Sequence, residues 1–131
     1  MGVEKQCLAS PRLAPAVGPY SQAVRYGDML YCSGVIPLDP NTRQLVAGGI
    51  QEQARRVLDS LLALLADCGT EARNVVKTTV FLQDMGHFQE FNAVYAQYFA
   101  QDPPARSTIQ VARLPLGALV EVEAIAFIPQ D

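Results

Sequence analysis

The stretch LVEVEAIAFI, residues 119–128, alternates so regularly that it decides the architecture of the chain. Successive side chains of a β-strand point to opposite sides. Val120, Val122, Ala124, Ala126 and Ile128 therefore share one face, which is uniformly apolar and calls for a covering layer. The other face takes Leu119, Glu121, Glu123, Ile125 and Phe127. Two carboxylates among large apolar groups do not make an ordinary solvent face.

Working outward from this strand, Ala105 to Ala112 precede it across the turn Leu114-Pro115-Leu116-Gly117. Here Arg106, Thr108 and Gln110 alternate with Ile109 and Val111. Asn74 to Gln83 (NVVKTTVFLQ) is β-branched and predicts another strand. Two helical patterns supply the covering layer. In the first, Ile50, Ala54, Val57, Leu58, Leu61, Leu62 and Leu65 recur at helical spacing, and Gly69 follows as a C-terminal cap. Its opposite side offers Glu52–Arg56 and Arg55–Asp59, each four apart. In the second, Phe88, Phe91, Val94, Tyr95, Tyr98 and Phe99 form an aromatic stripe that Pro103-Pro104 ends. Near the start, Gln22 to Tyr26 and Met29 to Ile36 flank Gly27-Asp28 and predict a hairpin. Residues 1–17, rich in Pro and Ala, are expected to be an irregular arm. The order β-β-α-β-α-β-β predicts a single α+β domain over residues 1–131, its two helices on one sheet face.

In the hairpin, Leu30, Cys32 and Ile36 alternate with Met29, Tyr31, Ser33 and Val35. Combined over the strands, periodicity suggests a second face that mixes Arg106, Thr108, Glu123 and Ser33 with large apolar groups. Such a surface is seldom left in water. The composition agrees. Half of the 131 residues are hydrophobic and only 18% are charged, which excludes disorder and is low for the surface of a small monomer. Either surface is hidden in an oligomer, or the chain carries a large apolar site. A net charge of −3 argues against a nucleic-acid module that works through a basic field. Three cysteines, Cys7, Cys32 and Cys68, make no disulfide framework and point to a reducing compartment, the cytoplasm. One His and three scattered Cys do not assemble a zinc site, and there is no glycine-rich phosphate loop, so no metal, NAD or ATP is expected.

The chemistry must then come from ordinary side chains. Arg106, in PPARST, carries the fork that receives a carboxylate bidentately; its plainer use is an ion pair. Glu123 among apolar groups is a general acid or base with a raised pKa; its plainer use is an interface salt bridge, and Glu121 on the same face is its rival. Asn92 lies inside the aromatic stripe and needs partners. Tyr20 follows Gly18-Pro19, and Ser33 precedes Gly34 with no His beside it for a triad. His87 reads as the start of the second helix or as surface.

Six segments together resemble the reactive intermediate deaminases of the RidA/YjgF family: GPYSQAV (18–24), YCSGVIP (31–37), NVVKTTVFLQD (74–84), FNAVYAQYF (91–99), PARSTIQVARLP (104–115) and VEVEAIA (120–126). The resemblance implies a chorismate-mutase-like subunit, a homotrimer with sites between subunits, no cofactor, and hydrolysis of enamine/imine intermediates such as 2-aminoacrylate to 2-keto acids and ammonia. It implies that Arg106 binds the carboxylate, that Glu123 positions water, and that Tyr20, Ser33, Asn92 and Thr108 line the pocket. Two positions depart from the pattern: Thr108 stands where many members have Cys, and Val35 where many have Gln. The same fold without catalysis, as a small-carboxylate-binding or protein-interaction module, is the alternative; an RNA-cleaving translation inhibitor is another, which the acidic pI of about 5.0 disfavours. Neither nucleic acid nor membrane is expected as a partner.

Overall fold

A computed structural model describes residues 4–130. Its sheet is built around the strand that alternates most cleanly. This is β6, Val120–Phe127, which lies antiparallel between β3, Met29–Val35, and β4, Val75–Leu82. Beyond β4 lies β5, Ala105–Gln110, parallel to it; beyond β3 lie β2, Ala23–Tyr26, and β1, Gln6–Leu8. The order of the mixed sheet is β1-β2-β3-β6-β4-β5. The helices α1, Ile50–Asp67, and α2, Phe88–Tyr98, pack on one face over Val120, Val122, Ala124 and Ala126. The α+β arrangement with both helices on one face is as the sequence predicts. No helix among the described residues is long and apolar enough to cross a membrane.

The arm differs from expectation. Residues 6–8 of the stretch 1–17 form β1, paired Gln6↔Arg25 to Leu8↔Ala23, so the sheet has six strands. The arm is also tied down by side chains. Gln22 accepts from the Ser10 N–H at 2.7 Å and donates to the Ala14 carbonyl at 3.1 Å. Arg12 grips Asp67 at the end of α1 through Nε (3.0 Å) and Nη2 (2.9 Å), and the Ser10 hydroxyl donates to the same carboxylate. These partners hold the Asp67 carboxyl below its usual range, Arg12 contributing most. They replace hydrogen bonds that an irregular arm would give to water.

α1 ends as its sequence dictates. Gly69, at φ +92, donates to Ala66 O (3.1 Å) and Thr70 N to Leu65 O (2.9 Å), the paired bonds of a Schellman cap. The charge pairs expected along it do not form. Glu52 turns back to accept from the Gly49 N–H (2.8 Å), while Arg56 bonds Ser60 (3.1 Å). Arg55 and Asp59 are drawn to α2, bonding Gln97 (2.8 Å) and the Tyr98 hydroxyl (2.7 Å). Contacts between helices displace exposed pairs that are individually weak.

Two details of the sheet place the site. The first is a β-bulge between Cys32 and Val35, which inserts one residue into the alternation of β3. It turns Val35 onto the helix-covered face beside Val122, where it is buried, rather than onto the face of Tyr31. The second concerns β5. Its register pairs Arg106 with Thr78 and Thr108 with Val80, both fully buried beneath the helices. Arg106 and Thr108 therefore lie on the helix-covered face. Glu123, opposite Thr79, lies on the other face, together with Tyr31 (46% exposed) and Phe127 (38% exposed). The single mixed face that periodicity suggested is divided.

Candidate functional site

Arg106 is held before any ligand arrives. Its guanidinium carbon lies 4.7 Å from the ring centre of Tyr95, 5.6 Å from Phe88 and 5.9 Å from Phe91, and its Nη2 donates to Asn92 Oδ1 at 2.7 Å. The aromatic stripe of α2 thus does more than fill the core: three of its rings cage a cation. Tyr95 is itself fixed, its hydroxyl 2.7 Å from the buried Thr78 hydroxyl, and burial raises its pKa. Asn92 orients the arginine, which has no carboxylate partner among the described residues. Thr108 stands two residues along β5, its hydroxyl buried without a hydrogen-bond partner among the described residues.

The second cluster lies at the end of β3 and β6. A cavity of about 760 Å³ opens between the arm, the bulge of β3, α1 and the loop 115–116. Tyr20, Ser33 and Glu121 line it, with mostly apolar neighbours such as Leu13, Val35 and Leu116. The Ser33 N–H donates to Gln22 O (2.9 Å), and its hydroxyl donates to Ser21 O (2.6 Å). That hydroxyl proton is committed to a carbonyl, which suits a wall residue rather than a nucleophile. Tyr20 is half exposed, its hydroxyl accepting from Val17 N at 3.4 Å.

Of the two glutamates on this face, it is Glu121 that enters the cavity. Burial, and then the charge of Glu123, push its pKa above the usual 4.5. Glu123 is exposed at Thr79 and does not line the cavity. Of the two candidate carboxylates, the one placed at this cavity is therefore Glu121, and Glu123 stands outside it. Gly34 explains the placement. A Cβ there would stand 1.8 Å from Glu121 Oε2 and 2.7 Å from its Cδ, so only glycine lets the carboxylate lie across the bulge. A Ser-Gly pair inside a strand was the available signal.

The clusters do not meet within one chain. Arg106 pairs with Thr78, which is opposite Ala124, whereas Glu121 is opposite Phe81. That is two strands across and three residues along, roughly 14 Å by strand geometry, and through the sheet to its other face. The structure thus brings Arg106, Asn92 and Thr108 together, and separately Tyr20, Ser33 and Glu121.

Comparison with known proteins identifies the family. A family model described as Endoribonuclease L-PSP matches residues 11–128. A 2-iminobutanoate/2-iminopropanoate deaminase of Mus musculus is 45% identical over 93% of this chain and 90% of its own. A RutC family protein of Pyrococcus abyssi is 41% identical over 94% of this chain and 97% of its own. Among solved structures, TdcF of E. coli with bound serine superposes at a TM-score of 0.89, with 38% identity, over 95% of this chain and 99% of that one. With nearly the whole chain matched at this identity, it belongs to the Endoribonuclease L-PSP family of RidA/YjgF proteins.

Proposed function

We propose that the protein hydrolyses reactive 2-enamine and 2-imine intermediates, such as 2-aminoacrylate, to 2-keto acids and ammonia. The observation that carries this is Arg106: a guanidinium caged by three rings and steered by Asn92, with no carboxylate partner among the described residues. Such a group is preorganised for a carboxylate, and preorganisation is the part of binding that costs least at the moment of reaction. Relatives named as 2-imino acid deaminases, and a neighbour solved with serine, itself an α-carboxylate, support the choice of substrate.

In the proposed reaction the substrate carboxylate docks on Arg106 while its imine carbon faces Glu121. Raised above 4.5, Glu121 is a better base than an ordinary surface carboxylate. It takes a proton from water as the oxygen bonds to the imine carbon. The electrons of the C=N bond move to nitrogen, which takes that proton and becomes an amine. The carbinolamine then expels ammonia: Glu121, again a carboxylate, takes the hydroxyl proton as the carbonyl forms and passes it to nitrogen, which leaves with the C–N electron pair as ammonia. Tyr20 and Ser33 shape the pocket, and Thr108 flanks the anchor. No cofactor is required, since tautomerisation already makes the carbon electrophilic.

Because the half-sites are separate within one chain, the reading includes a homotrimer in which the Arg106 cluster of one copy faces the Glu121 cavity of the next. The test is release of keto acid and ammonia from a 2-imino acid generated in situ. Arg106→Ala should lower kcat/KM about 30-fold or more, the worth of the hydrogen bonds a charged group forfeits. Hydrolysis by that variant at the wild-type rate would refute the anchor. Arg106-dependent ligand binding without acceleration would identify a binding module instead.

A further inference from the structure

Among the described residues that are not glycine, Arg43 (φ 62), Asp102 (φ 47) and Leu116 (φ 60) occupy the left-handed region, where a side chain is strained. Two of the three, Arg43 and Leu116, line the Glu121 cavity. Such strain persists where the surroundings enforce it, and it gathers at ligand sites. The loop 37–46 enforces it on Arg43. The Arg43 N–H donates to Asp39 O at 2.7 Å, and the Asp39 N–H donates to Gln44 O at 2.8 Å. Asp39, the only acid of this loop, accepts through Oδ1 from the Asn41 and Thr42 N–H groups at 2.8 and 3.1 Å. The loop thus turns its acid onto its own backbone and presents an arginine to the cavity.

Arg43 and Glu121 are the only residues of the cavity wall with a formal charge. An arginine lying against Glu121 would pull that carboxyl down; burial and Glu123 instead raise it, so the two charges stand apart. Arg43 is exposed and has no carboxylate partner among the described residues. It also lines an adjoining cavity of about 690 Å³, in whose wall no acid stands. A cation open to a cavity without an acid to neutralise it is a receptor for an anion. The walls around it, among them Leu13, Leu38, Leu64 and Leu116, suit an aliphatic chain. We propose that Arg43 is a specificity-determining residue: it receives a second carboxylate at the far end of the substrate side chain, so that the protein favours dicarboxylic 2-imino acids. The spacer is two methylenes or longer, because a shorter one would hold the second carboxylate beside Glu121 and be repelled. This rests on the reading in which Arg106 anchors the α-carboxylate and Glu121 faces the imine carbon.

Two stable 2-keto acids test this by calorimetry on the full-length protein. One is 2-ketoglutarate; the other is 5-methyl-2-ketohexanoate, in which an uncharged isopropyl group of the same size replaces the terminal carboxylate. The wild type should bind 2-ketoglutarate about tenfold tighter, as expected for one hydrogen bond between charged groups. Added salt should shrink that preference, since the arginine is exposed. Arg43→Gly accepts φ 62 without strain and should melt close to the wild type; Arg43→Gln keeps the stem and removes the charge. Both should lose the preference and bind the isopropyl acid as the wild type does. Equal affinity for the two acids in the wild type, a preference that survives in either variant, or an equal loss of both acids overturns the role of Arg43. Arg106→Ala separates the two levels, because it should weaken both acids alike. If it binds both like the wild type, the anchor itself has failed; if it loses both while the Arg43 variants keep the preference, only the role of Arg43 has.

Discussion

Gly34→Ala tests the proposed role of the Glu121 carboxylate without substituting Glu121 itself. The added Cβ would lie 1.8 Å from Glu121 Oε2, 2.7 Å from Cδ and 3.0 Å from Cγ. Ordinary contact begins near 3.5 Å, so the carboxylate must retreat by more than about 1 Å. The move is cheap for stability: the obstacle is the end of a flexible side chain, and Gly34 does not occupy the left-handed region. Alanine also narrows the unfolded ensemble, worth about 0.4–1 kcal/mol in favour of the fold. The melting temperature should therefore change by only a few degrees. The rate should not be spared. Misplacing a reacting group by ~1 Å costs on the order of 100-fold, so kcat/KM for a 2-imino acid generated in situ should fall by about that factor, and Glu121→Gln by at least as much. Substrate anchoring is left intact, and 2-keto acid affinity should stay close to that of the wild type. A Gly34→Ala enzyme that keeps kcat/KM within threefold of wild type, at an unchanged melting temperature, would refute the placement of Glu121 as the base.

Other outcomes follow from the same contacts. Glu121 must be ionised to accept a proton, so kcat/KM should fall on the acid side with an apparent pKa above 4.5. Glu123→Gln removes the second cause of that elevation and should move the acid limb down towards 4.5 without abolishing turnover; loss of turnover in Glu123→Gln but not in Glu121→Gln would reverse their roles. The Asp67 carboxyl is depressed by Arg12 and Ser10, so its contribution to stability is fully present above its unfolded value near 3.8 and is lost as pH falls through the lower folded value. Urea midpoints measured against pH should show this loss in the wild type and not in Asp67→Asn. Sedimentation at micromolar concentration should give a trimer, and a monomer there would count against a site shared between copies.

How legible the site was depended on whether a strand's two faces differ enough to be told apart. In β6 they do: Val120, Val122, Ala124 and Ala126 could only be core, and they are buried. In β5 alternation was visible but its sense was not. Arg106, Thr108 and Gln110 look like the outer side, and nothing local says that α2 returns over this edge strand with three aromatic rings to receive the arginine. Tertiary packing supplied that information. Val35 was misplaced for a different reason, since one inserted residue at the bulge reverses every later side chain of the strand. β1 escaped notice because three residues, Gln6–Leu8, carry no period, and their pairing to β2 is the only thing that makes them a strand. Glu121 and Glu123 share a face, so no periodicity can separate them. What separates them is depth along the strand, measured by the glycine that one lies across and the other does not.

The division of the site also bears on the scarcity of charge. The helix-covered face spends its polarity at one edge, where Arg106 is paid for by rings and an amide rather than by a counter-ion. The opposite face carries Glu121 and Glu123, and also exposes Tyr31, Phe127 and Ile109, each by more than a third. A cation lacking a carboxylate partner and a carboxylate whose pKa is raised by burial are complementary, yet the sheet keeps them on opposite sides. Bringing them together within one chain would require refolding the sheet. Bringing them together between chains requires only that the apolar face be covered by a second copy, which the 18% of charged residues already favours. On the proposed reading, a substrate with a carboxylate at one end and an electrophilic carbon beside it is what bridges the two groups. Activity should then depend on assembly through geometry and not through stability alone: mixing inactive Arg106→Ala with inactive Glu121→Gln subunits should restore turnover at those interfaces that pair an intact arginine with an intact glutamate.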